Sequence, residues 1–145
     1  VLLKPMTYMN LSGDSVQPCA AFFKVAVESV VVIHDELDLA FGSLRLKRGG
    51  GHAGHNGLRS IIQRLGADFA RVRVGIGRPP GDFRGEVSDW VLSPFSPEER
   101  EHLEKHVELA AKSVLDIATR GFEAAMKTRN TRPKPKAGEP DEGSS

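Results

Sequence analysis

A continuous β-branched run, Val30-Val31-Val32-Ile33, stops abruptly at His34-Asp35-Glu36. Such a run predicts a strand buried on both faces, since only a strand covered on each side is apolar at consecutive positions. The polar triplet then falls at the strand's C-terminal end, the edge at which open α/β sheets bind ligands. Residues 41–49 (FGSLRLKRG) alternate instead. Leu44 and Leu46 face one way and Arg45 and Lys47 the other, which predicts a half-exposed strand with a basic outer face. Leu58, Ile61, Ile62 and Leu65 recur at helical spacing over 56–66, and Gly66 is a natural stop. Residues 70–82 (ARVRVGIGRPPGD) form a further alternating stretch, closed by a Pro-Pro-Gly turn. Ser96-Pro97-Glu98-Glu99 combines a cap, a first-turn proline and a reciprocal glutamate. The stripe Leu103, Val107, Ala110, Val114 and Ile117 then predicts a core-packing helix ending at Arg120-Gly121. Strands alternating with helices point to an α/β fold, a single domain with a mixed twisted sheet and helices packed on both faces. The opening VLLKP reads as one more strand, and residues 131–145 read as a disordered polar tail after a domain over 1–130.

Composition narrows the setting. The 145 residues suit one domain, with ordinary hydrophobic (39%) and charged (27%) content. Cys19 is the single cysteine, so an internal disulfide is excluded and a reducing compartment is the simplest expectation. Its apolar neighbours make it a small buried hydrophobe rather than a nucleophile. No stretch approaches the roughly 18 apolar residues of a membrane span, and no signal-peptide pattern is present. A cytoplasmic protein is expected. The net charge of +1 hides a strong segregation: residues 45–84 hold nine Lys and Arg against Asp68 and Asp82, a net +7, leaving −6 elsewhere. A basic zone of this density suits a polyanionic partner, nucleic acid first among them.

At the centre of that zone stands GGGHAGHNG (49–57), five glycines with His52, His55 and Asn56. Three chemistries compete for it. Gly49-x-Gly51-x-x-Gly54 satisfies the dinucleotide pattern, but the preceding strand is amphipathic and Arg73-Val74, not an acid, stand about twenty residues on. A metal would draw on His34, Asp35, Glu36, Asp38, His52 and His55, yet no helical H-x-x-x-H pair occurs among them. The third chemistry is acid–base catalysis on a nucleic-acid-linked substrate. A histidine base needs a carboxylate to hold its tautomer, and Asp35 at a strand end is placed for that. Asn56 carries both a donor and an acceptor for a carbonyl, a water or an oxyanion, and it is also a good helix N-cap. Asn10, beside Tyr8 and Met9, adds a second amide next to an apolar wall. Lys47, Arg48 and Arg73 supply a basic flank for phosphate.

Three segments, LLKPMTYMNLSG, VVVIHDELDLAFGSLRLKRGGGHAGHNGLRSI and RVRVGIGRPPG, lie in this order over most of residues 2–80. Together they resemble the bacterial-type peptidyl-tRNA hydrolase family, and WVLSPFSPEE and GFEAAMKTRN are similar too. The resemblance implies hydrolysis of the ester between a peptide and tRNA, without metal or organic cofactor, by a monomer. It implies a substrate-binding role for Asn10 with Tyr8 lining the same site. Asp35 would stabilise the catalytic histidine, Asn56 would bind substrate or water, and His55 would support them. Lys47 and Arg73 would clamp the tRNA 5′ phosphate. The family's base is a histidine on a segment preceding the matched stretch, and none of His34, His52, His55, His102 and His106 occupies its position. The expectation is a domain incomplete at its N-terminus, a coding region that extends upstream, and less than full activity for the chain as written. A non-catalytic RNA-binding paralogue is the alternative.

Overall fold

Strand β3 (Ala70–Gly75) organises the sheet, with β1 (Val31–Glu36) parallel on one side and β2 (Leu44–Arg48) antiparallel on the other. The structure, a computed structural model, describes residues 1–79 and 96–130. A 3-10 turn at Met9–Leu11 leads into helix α1 (Ser12–Phe22), and a second at Val27–Ser29 leads into β1. Helix α2 (Asn56–Leu65) joins β2 to β3. Helices α3 (Pro97–Arg120) and α4 (Phe122–Arg129) follow. The mixed sheet with helices on both faces is the expected α/β architecture.

The alternation read from β2 and β3 is what separates the two faces. Leu46, Ala70 and Val72 pack against Ala110 of α3 and Phe122 and Ala125 of α4, with Val31, Leu44 and Val74 at the margin. On the other face Leu58 and Ile61 of α2 enclose Phe69, with Val16 of α1 and Val30 and Val32 around them. Helix α3 starts where its signals predict: Ser96 Oγ accepts from Glu99 N–H at 3.1 Å while Glu99 accepts from Ser96 N–H at 2.9 Å. Helices α2 and α3 stop at glycines with positive φ, Gly66 and Gly121. The outer edge of β2 is closed by Asn130, whose amide exchanges two hydrogen bonds with the Leu46 main chain (2.8 and 2.9 Å) and so imitates a neighbouring strand.

Four expectations are corrected. VLLKP forms no strand; residues 1–8 have no regular structure, and Leu2 and Met6 are almost wholly exposed. An extended segment becomes a strand only with a ladder partner, and β1 pairs on one side alone among the described residues. For the same reason β1 is not buried on both faces: Val31 and Val32 are half-buried and Ile33 is 53% exposed. Helix α1 gave no clear apolar stripe, carries Pro18 within it, and is held to α2 by Gly13 N–H donating to Ser60 Oγ at 2.8 Å. Cys19 on α1 is half-buried rather than buried. The α3 stripe is also incomplete, since Val107 faces solvent at 62% exposure. The polar tail over 131–145 and the Pro80-Gly81 part of the predicted turn lie outside the described residues. Among those described, no helix is long and apolar enough to cross a membrane.

Candidate active site

Asp35, next to last in β1, accepts a hydrogen bond from His55 Nε2 at 2.9 Å. His55 is the N-cap of α2, and its Nδ1 accepts from Leu58 N–H at 3.2 Å. The amide of Leu58 is always a donor, so His55 Nδ1 carries no proton and Nε2–H points at Asp35. Asn56, expected to share the capping role, is instead the first helical residue; an imidazole nitrogen, projecting from the extended residue before it, already satisfies the orphan amide. His34 takes the opposite tautomer. Its Nδ1 lies 2.8 Å from the Asp35 carbonyl oxygen, so Nδ1–H donates there, and the buried Nε2 has no partner among the described residues. The two rings meet edge to face with centroids 5.3 Å apart. Burial pushes His34 below the ordinary imidazole value, which keeps it neutral. The hydrogen bond from His55 holds the Asp35 carboxyl below the usual carboxylate range, although burial opposes it. A neutral imidazole pair thus surrounds a persistent carboxylate, whose second oxygen takes no other side chain among the described residues.

Asn56 is exposed beside this pair and makes no side-chain hydrogen bond among the described residues. Gly57 explains the close packing there: a Cβ would come within 2.7 Å of Met9 Sδ and 3.0 Å of the His55 ring. The Met9–Leu11 turn therefore sits against the α2 N-terminus and brings exposed Asn10 to the same end of the sheet. Tyr8 is 81% exposed and packs no wall of the site in this structure. A groove of about 980 Å³ runs from Asp35, His55 and Gly57 along the unpaired edge of β1 towards Leu2 and Phe23.

The basic face has a definite layout. Arg45 pairs directly across from Arg73, and Lys47 from Arg71, on the α2 side of β2 and β3. Like charges opposite each other destabilise a sheet; Arg71 is buried, and Arg45, Lys47 and Arg73 form a basic face that suits a polyanion. Glu36 lies 3.4 Å from Arg73 and offsets part of the charge. Arg48, read from the sequence as phosphate-binding, instead bonds the carbonyls of Glu28 and Asp68 and stacks over Phe122. Arg71 is a site-building residue that the sequence does not single out, and His34, considered from the sequence as a metal ligand, packs against His55 instead. Parity places both on the α2 face with Phe69 and Val32, but it does not by itself separate them from Arg73 and Lys47 on the same face.

The rival chemistries fare differently. Strand β2 runs antiparallel to β3, so the segment through α2 is not the parallel βαβ unit a dinucleotide loop requires. Among the described residues no three or more His, Cys, Asp or Glu gather as a metal-holding group. His34, Asp35 and His55 are engaged with one another, Asp38 with Arg78, and His52 Nδ1 with Gly54 N–H. What remains is a carboxylate, two exposed amides and a block of cations at one end of the sheet.

The sequence profile described as peptidyl-tRNA hydrolase matches residues 1–137. This chain belongs to the peptidyl-tRNA hydrolase family. A peptidyl-tRNA hydrolase of Sorangium cellulosum (strain So ce56) is 63% identical over 144 residues, 99% of this chain and 65% of that protein. One of Kineococcus radiotolerans is 55% identical over 127 residues, covering 87% of this chain and 63% of its own length. A crystal structure of peptidyl-tRNA hydrolase from Acinetobacter baumannii superposes with a TM-score of 0.78 at 42% identity, covering 88% of this chain and 64% of that one. The chain therefore spans somewhat less than two thirds of these family members.

Proposed function

We propose that this chain carries the carboxylate-and-amide half of a peptidyl-tRNA hydrolase site together with its tRNA-binding face. The observation that supports this most is the Asp35–His55 pair, a persistent carboxylate held by a neutral imidazole at a strand end. In this reading water attacks the ester carbonyl that joins peptide to the terminal ribose. An imidazole takes the water proton, Asp35 stabilises the resulting imidazolium through its second oxygen, and the amides of Asn56 and Asn10 hold water, substrate or oxyanion. The ribose hydroxyl leaves and recovers the proton. His55 cannot be that base while one nitrogen caps α2 and the other donates to Asp35. His34 cannot either, because its lone pair is buried. In this reading the base is an imidazole other than His55 and His34, presented to the second oxygen of Asp35. Lys47 and Arg73 meet a tRNA phosphate, with Arg45 beside them. Tyr8 lines the site once substrate is bound. A cytoplasmic monomer working without metal or cofactor is the proposed setting, in keeping with the single cysteine.

The test is release of a labelled peptide from peptidyl-tRNA by the protein, run beside a gel shift with the same tRNA. Replacing Asp35→Ala should lower turnover by about 10²–10⁴-fold and leave tRNA binding intact. Unchanged turnover in that variant, with binding alone in the parent, would favour an RNA-binding module instead.

A further inference from the structure

Arg71 is 3% exposed at the middle of the sheet, beneath the glycine loop. Its Nη1 donates to the Gly51 carbonyl, and its Nη2 donates to the carbonyls of Gly50 at 2.7 Å and Ala67 at 3.5 Å. The guanidinium also stacks over the Phe69 ring, 4.6 Å from its centroid. No carboxylate among the described residues forms an ion pair with it. Burial and the neighbouring Arg73 both press on its charge. A buried guanidinium needs acceptors for its N–H groups. Here main-chain oxygens of Gly50, Gly51 and Ala67 meet both Nη groups, while Nε has no partner among the described residues.

The loop itself needs this anchor. Gly49 and Gly50 take positive φ (71° and 99°), a conformation open to glycine. The far half is tied to itself: His55 N–H donates to the His52 carbonyl at 2.8 Å, and Gly54 N–H to His52 Nδ1 at 3.0 Å. The near half is tied to β3 by Gly49 N–H on the Phe69 carbonyl (3.1 Å) and by Arg71.

We propose that Arg71 is a positioning residue which fixes the glycine loop over β3 and thereby sets how His55 meets Asp35. The proposal deepens the hydrolase reading and rests on it for the meaning of the site. Its readouts do not involve turnover, so either can fail alone. Long-range proton–nitrogen correlations on the histidine-labelled chain report ring tautomers, and amide exchange reports the Leu58 N–H that caps on His55. In Arg71→Met the Leu58 amide should exchange about tenfold faster, and His55 should lose its single Nε2–H tautomer. Arg71→Lys, which keeps the charge but not the fork, should lie between. Val72→Ala, on the opposite face of β3, should leave both readouts at parental values once corrected for global stability. Parental tautomer and Leu58 protection in both Arg71 variants would overturn the proposal. So would an equal effect from Val72→Ala. If Arg71→Met does not fold, Arg71→Lys is judged on the same two readouts.

Discussion

The two faces of the β2–β3 ribbon are built from alternate residues of the same few positions, yet they do opposite work. One face, with Leu44, Leu46, Val72 and Val74, is closed by α3 and α4 and is apolar but for Arg48 at its end, which stacks over Phe122. The other sets Arg45 against Arg73 and Lys47 against Arg71, like charges whose juxtaposition costs stability, and of these Arg71 is buried beneath the glycine loop. Burial on the first face supplies the free energy that lets the second carry charge. The contrast separates what holds the chain together from what meets its substrate.

Substitutions on adjacent residues of β2 should break this contrast most sharply. Leu46 is 2% exposed, and Leu46→Ala should cost about 2–5 kcal/mol, measured by urea denaturation. The tRNA affinity of the protein that remains folded should not change. One residue along, Lys47 is exposed, and Lys47→Ala should shift stability by less than about 0.5 kcal/mol. It should instead weaken tRNA binding and reduce the salt dependence by about one phosphate contact, read from gel shifts across salt concentrations. Equal stability losses from both substitutions would erase the distinction between the faces.

Smaller and more gradual is the expected response to acid. His34 is held below the ordinary imidazole value near 6.5. The unfolded chain takes up a proton there that the folded one refuses, so stability falls as pH drops below about 6.5 and levels off below the folded value. Asp35 is shifted down as well, so its contribution is present above the ordinary carboxylate range and is lost as pH falls through its folded value. Denaturation midpoints followed from pH 8 to 3 should show both stages. Replacing His34→Gln should shrink the first, to which half-buried His106 also contributes, and leave the second.

Much of this was legible in the sequence because it rests on local periodicity. Leu44 and Leu46 against Arg45 and Lys47 declared a two-faced strand, and Ser96-Pro97-Glu98-Glu99 declared a capped helix, since each depends on neighbours within a turn or two. Asp35, Asn56 and Asn10 were candidates by residue type and by resemblance, and the fold brings them to one end of the sheet. Arg48 was misread because nothing local distinguishes a cation facing phosphate from one bonded to the Glu28 and Asp68 carbonyls.

By itself, then, the sequence determined the alternation of elements, the parity of each strand and the segregation of charge, all of which follow from spacing along the chain. Only the tertiary structure decided that His55 rather than Asn56 caps α2, and that His34 and His55 hold opposite tautomers around Asp35. It also decided that Arg71 lies beneath the glycine loop instead of facing solvent. The reason is that a proton's place on an imidazole, or the burial of a charge, depends on where the folded backbone puts donors and acceptors. Some lie twenty residues away, as for His55 with Asp35 and Arg71 with Gly51, and spacing carries no record of that.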